Sequence, residues 1–203
     1  LKNFDFIGTE WNSKEDHWKP IWGERDEIDD HHNELIVHLK GKGNSIPVDI
    51  IFRAYDEGMA FRYSFPGQGG VEIVDEKTEF NFLCDPEIIA SKWYEDEFKI
   101  SPLSEMGEKR VICPVVLDID GTWVSITEAA LETSGFTGMF LGKSNGGLKS
   151  DLTPSQEAKA KLSMPSLTPW RAVAMAESPA QLMEITYPLV LNLNIPCVIK
   201  DTS

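Results

Sequence analysis

Two apolar segments in the first third of the chain alternate with a period of two, and a three-residue turn separates them. Residues 48–55 and 59–65 are predicted to be strands, joined by residues 56–58, which include a glycine. A short glycine-containing loop between alternating segments is typical of a β-hairpin. A chain built around such a hairpin buries at least one face of a sheet. The apolar set of the second strand, predicted to form the core face, is Met59, Phe61, Tyr63 and Phe65.

The same pattern recurs along the chain. Further strands are predicted at residues 35–39, 71–74, 78–83, 111–117, 122–128, 136–141, 148–152 and 171–176. A short helix is predicted at 179–185, with Ser178 as its N-cap and Pro179 at its first position. A second short helix is predicted at 86–91. Many strands with one or two short helices indicate an all-β fold, a large antiparallel β-sandwich, and the length allows one domain over residues 1–203.

The charge of the chain restricts its partners. Lys and Arg number 19 against 33 Asp and Glu, which gives a net charge of -14. Nucleic acids and anionic membrane surfaces would repel such a protein. A neutral sugar or a divalent cation remains compatible with it, and so does a role of the charge in solubility alone.

The cysteines and the apolar runs exclude several other classes. Cys84, Cys113 and Cys197 lie far apart and form no Cys-x-x-Cys pair, so a zinc or redox motif is not expected. One disulfide with a free thiol, or three buried thiols, are the two alternatives. The sequence has no apolar run of about 18 residues, the length that a membrane-spanning helix needs.

Acidic residues supply the candidate metal ligands. Glu128 ends a predicted strand among small and apolar residues, where a carboxylate is either solvated or held for a metal or a partner. Residues 26–32 are rich in Asp, Glu and His, but their spacing fits no standard metal loop, and a solvated acidic loop is the preferred interpretation. Asp118 and Asp120 are expected to belong to a hairpin turn.

Arginine and tryptophan side chains complete the set of candidates. Arg53 and Arg62 lie in apolar strands and are expected to pair with carboxylates, for which Asp56, Glu76 and Glu79 are the candidates. The tryptophans that could stack on sugar rings are Trp22, Trp93 and Trp123. Trp123 is expected in the core, and Trp93 is expected to be exposed, as a contact to another domain or to a glycan.

Short motifs in a fixed order resemble one family. They are Trp18 to Glu24 with His31 to Leu35, residues 51–66, Glu76 to Phe80, Glu128-Ala129-Ala130-Leu131, Thr168-Pro169-Trp170-Arg171, residues 189–196, and Asp201-Thr202-Ser203. Together they resemble the N-terminal β-sandwich domain of glycoside hydrolase family 97, calcium-dependent α-glucosidases and α-galactosidases of bacteria. The resemblance implies a supersandwich like that of galactose mutarotases, here truncated at its N-terminus because Leu1 falls inside the family domain.

The resemblance also implies a function. Glu128 would bind the calcium of a neighbouring catalytic barrel on the same polypeptide, and the domain would wall part of the active site. The parent enzyme would hydrolyse terminal α-linked sugars of oligo- or polysaccharides in the periplasm or at the cell surface of a bacterium. The catalytic carboxylates would lie beyond Ser203, so this chain alone is predicted to be inactive, and self-association through an apolar patch at Ala129, Ala130 and Leu131 is expected.

Two other classes of function stay open at this point. A free-standing carbohydrate-binding module would need an exposed aromatic platform. An aldose-epimerase-like enzyme would need a histidine and a glutamate as acid and base. The four histidines are His17, His31, His32 and His38. None of them is expected to face a carboxylate from a strand, which disfavours the epimerase.

Overall fold

The computed structural model describes residues 3–21, 23–43, 46–107, 109–131, 135–136, 138–153 and 158–194. These residues form fourteen strands and one α-helix. The strands are β1 (Phe4–Trp18), β2 (Ile28–Gly41), β3 (Val48–Tyr55), β4 (Gly58–Ile73), β5 (Glu79–Asn81), β6 (Glu87–Ala90), β7 (Lys99–Pro102), β8 (Arg110–Ile112), β9 (Val115–Ile119), β10 (Thr122–Ala129), β11 (Met139–Ser144), β12 (Gly147–Leu152), β13 (Ala160–Leu167) and β14 (Trp170–Ala176). The helix is α1 (Pro179–Leu193), and a short 3-10 helix spans Leu103–Met106.

The strands form two antiparallel sheets. The large sheet has the order β1-β2-β3-β4-β14-β10-β9-β6-β7, and β13 pairs with the far half of β4. The small sheet has the order β5-β12-β11-β8. This arrangement confirms the predicted all-β antiparallel sandwich. No helix within the described ranges has both the length and the apolar character needed to cross a membrane.

The main core lies between the two sheets. Val115 and Leu117 of the large sheet and Leu141 and Leu148 of the small sheet are each 0% exposed. Burying one such side chain contributes about 1.5–3 kcal/mol to stability. This core holds the small sheet against β9 and β10, which is the part of the large sheet that carries Glu128.

Helix α1 covers the opposite face of the large sheet. Its buried residues Leu182, Leu189 and Leu193 pack with Trp170 and a set of small residues in β4 and β14. Because neighbouring residues of a strand point to opposite faces, Trp170 faces the helix while Arg171 faces the small sheet. The alanines of the sheet let the helix approach closely.

The helix begins where the sequence predicts but ends later. Ser178 caps it through its side chain, as expected. The helix continues to Leu193 although Pro188 lies inside it. Proline cannot donate the hydrogen bond to the carbonyl four residues earlier. That carbonyl belongs to Glu184 and accepts instead from Nη2 of Arg25 at 3.0 Å, so the interruption leaves it satisfied.

Three other expectations differ from the structure. The helix predicted at 86–91 is wrong, because β6 occupies this segment and pairs on both sides with β7 and β9. Strands β1 and β13 were not predicted, since their sequences are largely polar or irregular. The predicted core face of β4 is only partly covered: Met59 is 40% exposed, whereas Ala60 on the other face is 0% exposed beneath the helix.

Candidate functional site

Glu128 lies near the end of β10, directly opposite Arg171 of β14. Directly opposed residues of an antiparallel pair project from the same face of the sheet. That face is the one turned toward the small sheet, so the carboxylate points into the sandwich and not away from it. Of the two alternatives that the sequence left open, a solvated strand-end carboxylate does not describe Glu128, whose side chain is 11% exposed.

Glu128 belongs to a network of two carboxylates and one guanidinium. Its Oε1 accepts a hydrogen bond from the backbone N–H of Met139 at 3.0 Å. Its Oε2 accepts from Nη1 of Arg171 at 3.0 Å. Arg171 also donates from Nε and Nη2 to the two carboxylate oxygens of Glu76, at 2.9 and 2.6 Å. The planar guanidinium thus binds Glu76 through two parallel hydrogen bonds and Glu128 through a third.

The network is shielded from water. The side chains of Arg171, Glu76 and Glu128 are 2%, 7% and 11% exposed. Burial raises the pKa of Glu128, although Arg171 and the Met139 N–H act against this. Burial also disfavours the charged form of Arg171, but the hydrogen bond and charge of Glu76, together with Glu128, outweigh it and raise the pKa of the guanidinium. Glu128 is the most accessible member of the network.

The charges of this network do not balance. One guanidinium faces two carboxylates, so the three ionised side chains carry one surplus negative charge. A buried surplus charge is costly unless a further partner compensates it. Among the described residues, each Glu128 oxygen accepts one hydrogen bond, and a carboxylate oxygen has capacity for a second interaction. Chemically, the arrangement can contribute one carboxylate to a cation held partly by another group.

The residues after Glu128 are not an exposed patch. Ala129 and Ala130 are 4% and 2% exposed, and Leu131 is half-buried. The N–H of Ala130 donates to Oδ1 of Asn194 at 2.8 Å, which ties this segment to the end of α1. The predicted apolar docking patch at these three residues is therefore wrong.

An apolar surface lies instead along the row of the sheet that starts at Glu128. The strand pairings place Arg171, Phe61, Phe52, Leu35 and Trp11 in succession across β14, β4, β3, β2 and β1. Trp11 is 72% exposed, and Met59 in the neighbouring row is 40% exposed. We call Trp11, Leu35, Phe52, Met59 and Phe61 the open strip.

The acidic segment at 26–32 forms no metal site. Residues 28–32 belong to β2, so the predicted solvated loop is wrong for this part. Asp30 and His32 are buried, and Asp30 binds Nδ1 of His32 and Nζ of Lys14, both at 2.7 Å. Among the residues that the structure describes, no group of three or more His, Cys, Asp or Glu side chains is arranged to hold a metal.

The turn at Asp118 and Asp120 is confirmed as a hairpin connection. It joins β9 to β10, and Asp118 Oδ1 accepts from the N–H of Gly121 at 2.8 Å. Asp120 and Gly121 both have positive φ, at 52° and 88°. Asp and Gly tolerate this backbone conformation better than most residues, which explains their presence without a metal.

The arginines of β3 and β4 do not have the predicted partners. Arg53 pairs with Glu34 of β2 at 2.9 Å. Arg62 lies over the ring of Trp170, 4.1 Å from its centroid, and burial lowers its pKa to about 10. Glu76, one of the expected partners, is bound by Arg171 instead.

The tryptophans and cysteines follow the predictions in part. Trp123 is half-buried against the helix-side core, and Trp93 is 58% exposed, as expected. Trp22 and Cys197 lie outside the described residues. Cys84 is an exposed free thiol and Cys113 a half-buried one, so these two form no disulfide and not all three thiols are buried. Burial raises the pKa of Cys113 to about 12.

Sequence reasoning identified Glu128 but missed its partner Arg171 and the second carboxylate, Glu76, that Arg171 binds. The available signal was the single charged residue in the apolar segment of β14, which must be buried and therefore needs carboxylates. Its partner Glu76 is 95 positions away. No local pattern connects residues so far apart.

The two antiparallel sheets and the helix α1 on the outer face of the large one define a β-sandwich domain. The model of the family described as Glycosyl-hydrolase 97 N-terminal matches residues 1–196, and the chain belongs to this family. The resemblance stated from the motifs is thereby confirmed.

Individual relatives agree with this assignment. A variant of a Glycoside Hydrolase Family 97 enzyme from Pseudoalteromonas sp. strain K8, solved in complex with panose, is 31% identical with a TM-score of 0.86, over 99% of this chain and 32% of that one. The same enzyme with acarbose is 30% identical with a TM-score of 0.76, over 87% of this chain and 28% of that one. A retaining alpha-galactosidase of Bacteroides thetaiotaomicron is 26% identical over 71% of this chain and 23% of its own length. The chain spans about a third or less of the relatives it matches.

Proposed function

We propose that this chain is the non-catalytic domain of a calcium-dependent α-glycosidase that acts on terminal α-linked sugars. In this role the domain packs on the catalytic barrel of the same polypeptide, walls part of the active site and supplies Glu128 to the calcium. The observation that carries the proposal is the surplus carboxylate of Glu128 at the start of a row that leads to an uncovered apolar strip.

The open strip is the surface proposed to pack on the barrel. Its aromatic side chains are partly exposed, and the rings of Phe52 and Phe61 lie 5.9 Å apart, so the surface is continuous. Contiguous exposed apolar surface is typical of an interaction site. Because the strip and Glu128 share one face of the large sheet, a domain packed on the strip lies on the same side as the carboxylate.

The described residues of this chain could supply one ligand to a calcium site that it shares with the catalytic barrel, but they could not form a complete site. Calcium takes about six to eight oxygen ligands, and carboxylates from separate segments can contribute them. Glu128 offers a carboxylate whose charge Arg171 does not fully neutralise, because Arg171 also binds Glu76. Oε1 is the better donor of the two oxygens, since among the described residues it accepts from the uncharged Met139 N–H, whereas Oε2 is bound by the Arg171 guanidinium. Arg171 would hold the carboxylate in place.

The names of the relatives support the proposed substrate class. One was solved with panose and with acarbose, and another is called a retaining alpha-galactosidase. Because these names differ in the sugar, the proposal extends to terminal α-linked sugars in general. By the same resemblance, we place the parent enzyme in the periplasm or at the cell surface, and this chain alone is inactive.

The epimerase alternative gains little from the structure. Contrary to expectation, two strand histidines do contact carboxylates: His32 binds Asp30, and His38 binds Asp49 at 2.8 Å. His32 is buried, however, and His38 belongs to a network at the edge of the sheet. Neither histidine lines the groove over the small sheet, which is bordered by Arg110 and Lys149.

The test is calcium binding by a polypeptide that joins this domain to its catalytic domain. We expect Glu128→Gln to weaken calcium binding by roughly 10-fold or more, because the amide loses the charge that a hard cation requires. Glu34→Gln is the matched control, since Glu34 also binds an arginine but on the other face of the sheet. Calorimetric titration measures both. Equal calcium affinity for the parent and Glu128→Gln would refute the proposed role.

A further inference from the structure

An exposed aromatic platform lies on the outer face of the small sheet, away from the open strip. Trp93 is 58% exposed and Tyr94 is 79% exposed, and their rings are 6.4 Å apart. The ring of Trp93 stacks on Phe140 of β11 at 5.7 Å and an interplanar angle of 26°. Phe140 itself is 6% exposed. One face of the Trp93 ring therefore packs on a buried side chain, and the rest of Trp93 is open to solvent.

The platform is held in a fixed position. Ser91 is 2% exposed, and its Oγ donates to the carbonyl of Trp93 at 2.6 Å and accepts from the Trp93 N–H at 3.3 Å. The carbonyl of Ser91 accepts from the N–H of Ile112 at 3.0 Å, which fixes the loop to β8. A rigid aromatic surface loses little entropy when a ligand binds.

A polar groove adjoins the platform. Arg110 borders both features, because it lies over the Phe140 ring at 4.3 Å and pairs with Asp151 at 3.3 Å. The groove runs over the small sheet and is lined among others by Glu79, Gly142 and Lys149. The charged side chains that line the groove are both acidic and basic. An ionic ligand of either sign would meet repulsion from half of them.

We propose that Trp93, Tyr94 and this groove bind a neutral oligosaccharide. The pyranose C–H groups would pack on the exposed ring of Trp93, and the hydroxyls would use the carboxylates as acceptors and the amino and guanidinium groups as donors. Aromatic side chains with one apolar and one wet side suit such amphipathic ligands. The inference rests on the proposed function for its choice of an α-linked glycan.

The platform is separate from Glu128 but connected to it. Met139 and Phe140 are consecutive in β11: the N–H of the first binds Glu128, and the ring of the second supports Trp93. Glu128 reaches Met139 from the large sheet, on the side where the Met139 side chain joins the core, whereas Trp93 covers the Phe140 ring on the outer side, so Glu128 and the platform lie on opposite sides of the small sheet. The platform would therefore retain a polymeric substrate without occupying the Glu128 site.

The test uses maltoheptaose as the probe and this chain as the protein. Calorimetry should give a Kd on the order of 1 mM or lower. Trp93→Ala should weaken binding by roughly 10-fold or more, as truncation of a central aromatic contact does. Trp11→Ala is the matched control, because Trp11 is also exposed, at 72%, but belongs to the open strip. Trp93→Tyr should retain part of the affinity, and thermal melting establishes that each variant is folded.

Three results would overturn the inference. They are the absence of binding at about 10 mM maltoheptaose, an equal loss in Trp93→Ala and Trp11→Ala, and unchanged binding in a folded Trp93→Ala. The experiment needs neither calcium nor a catalytic domain. Failure here would leave the proposed role of Glu128 standing, and unchanged calcium affinity in Glu128→Gln would leave the platform to be judged by its own titration.

Discussion

One row across the large sheet passes from a dry core to open surface. Val115 and Ile126 are 0% and 1% exposed, Val173 is half-buried, Met59 is 40% exposed and Ala54 is exposed. These residues are paired in succession and share one face. The covered end lies under the small sheet and the other end is the open strip. The sequence alternates between apolar and polar residues in the same way at both ends of the row. Alternation therefore identifies a face that can be buried, but it does not tell which structural element buries it.

The carboxylate network lies between these two ends and should be the most sensitive point of the fold. Arg171→Met would leave Glu76 and Glu128 buried without their cation. Removing one partner of a buried ion pair costs about 3–5 kcal/mol. Urea denaturation should therefore show a large loss of unfolding free energy.

Lys161→Met is the control for this substitution. Lys161 pairs with Glu72 at 2.9 Å, but both side chains are well exposed, so the pair contributes little. Equal losses of unfolding free energy for Arg171→Met and Lys161→Met would show that the buried network contributes no more to stability than an exposed ion pair.

Identical leucine truncations should separate the covered end from the open strip. Leu117 of β9 is 0% exposed and Leu35 of β2 is half-buried, and both project from the same face. Leu117→Ala should cost about 2–5 kcal/mol, since a cavity remains in the core. Leu35→Ala should cost about 1 kcal/mol, because only part of that side chain is removed from water. Chemical denaturation of the two variants measures the difference, and equal losses would mean that the strip is covered in solution.

The strands and turns could be predicted because their signals are local. The hairpin of β3 and β4, the turn at Asp118 and the Ser178 cap each depend on residues within a few positions. The end of α1 could not be predicted in this way. Pro188 is an ordinary signal for the end of a helix, but the Glu184 carbonyl that it leaves without a helical partner is bound by Arg25, 159 positions away in the sequence. The strand at β6 was missed for a related reason: its pairing with β9 decides its conformation, and its short apolar segment is ambiguous by itself.

The candidate site could be predicted only as a single residue. The resemblance supplied Glu128, but its partner Arg171, and Glu76 as the other carboxylate bound by Arg171, required the tertiary structure. An exposed apolar surface was expected at Ala129 to Leu131, whereas the structure has one along the strip from Phe61 to Trp11. Whether an apolar face is exposed depends on the second layer, which a strand pattern does not describe.

The tendency of the chain to self-associate tests whether the open strip forms contacts between molecules in solution. Strand β1 lies at the end of the sheet order, and such an edge can pair with another chain. The net charge of -14 opposes association, and salt screens this repulsion. We expect larger species as salt rises, and Trp11→Glu should reduce them. Trp93→Glu adds the same charge on the other sheet and should not. Light scattering across a salt series decides, and a monomer at every salt concentration would contradict the strip as an association surface.

The smallest expected effect is a pH dependence at the open end of the sheet. The hydrogen bond from His38 to Asp49 at 2.8 Å raises the pKa of His38, and Glu10 of β1 contributes from 3.2 Å. Because the folded-state pKa lies above the unfolded value of about 6.5, the stabilisation is complete below that value and is lost as pH rises through the folded-state pKa. The difference in unfolding free energy between the parent and His38→Gln should therefore be larger at acid pH and shrink toward alkaline pH.

His31→Gln, at an exposed position of the same strand, should show no such trend. Denaturation of the three proteins between about pH 5.5 and 8.5, the range around the ordinary histidine pKa, provides the measurement, and a difference that grows with pH would show that His38 does not hold β1 to the sheet as its contacts imply.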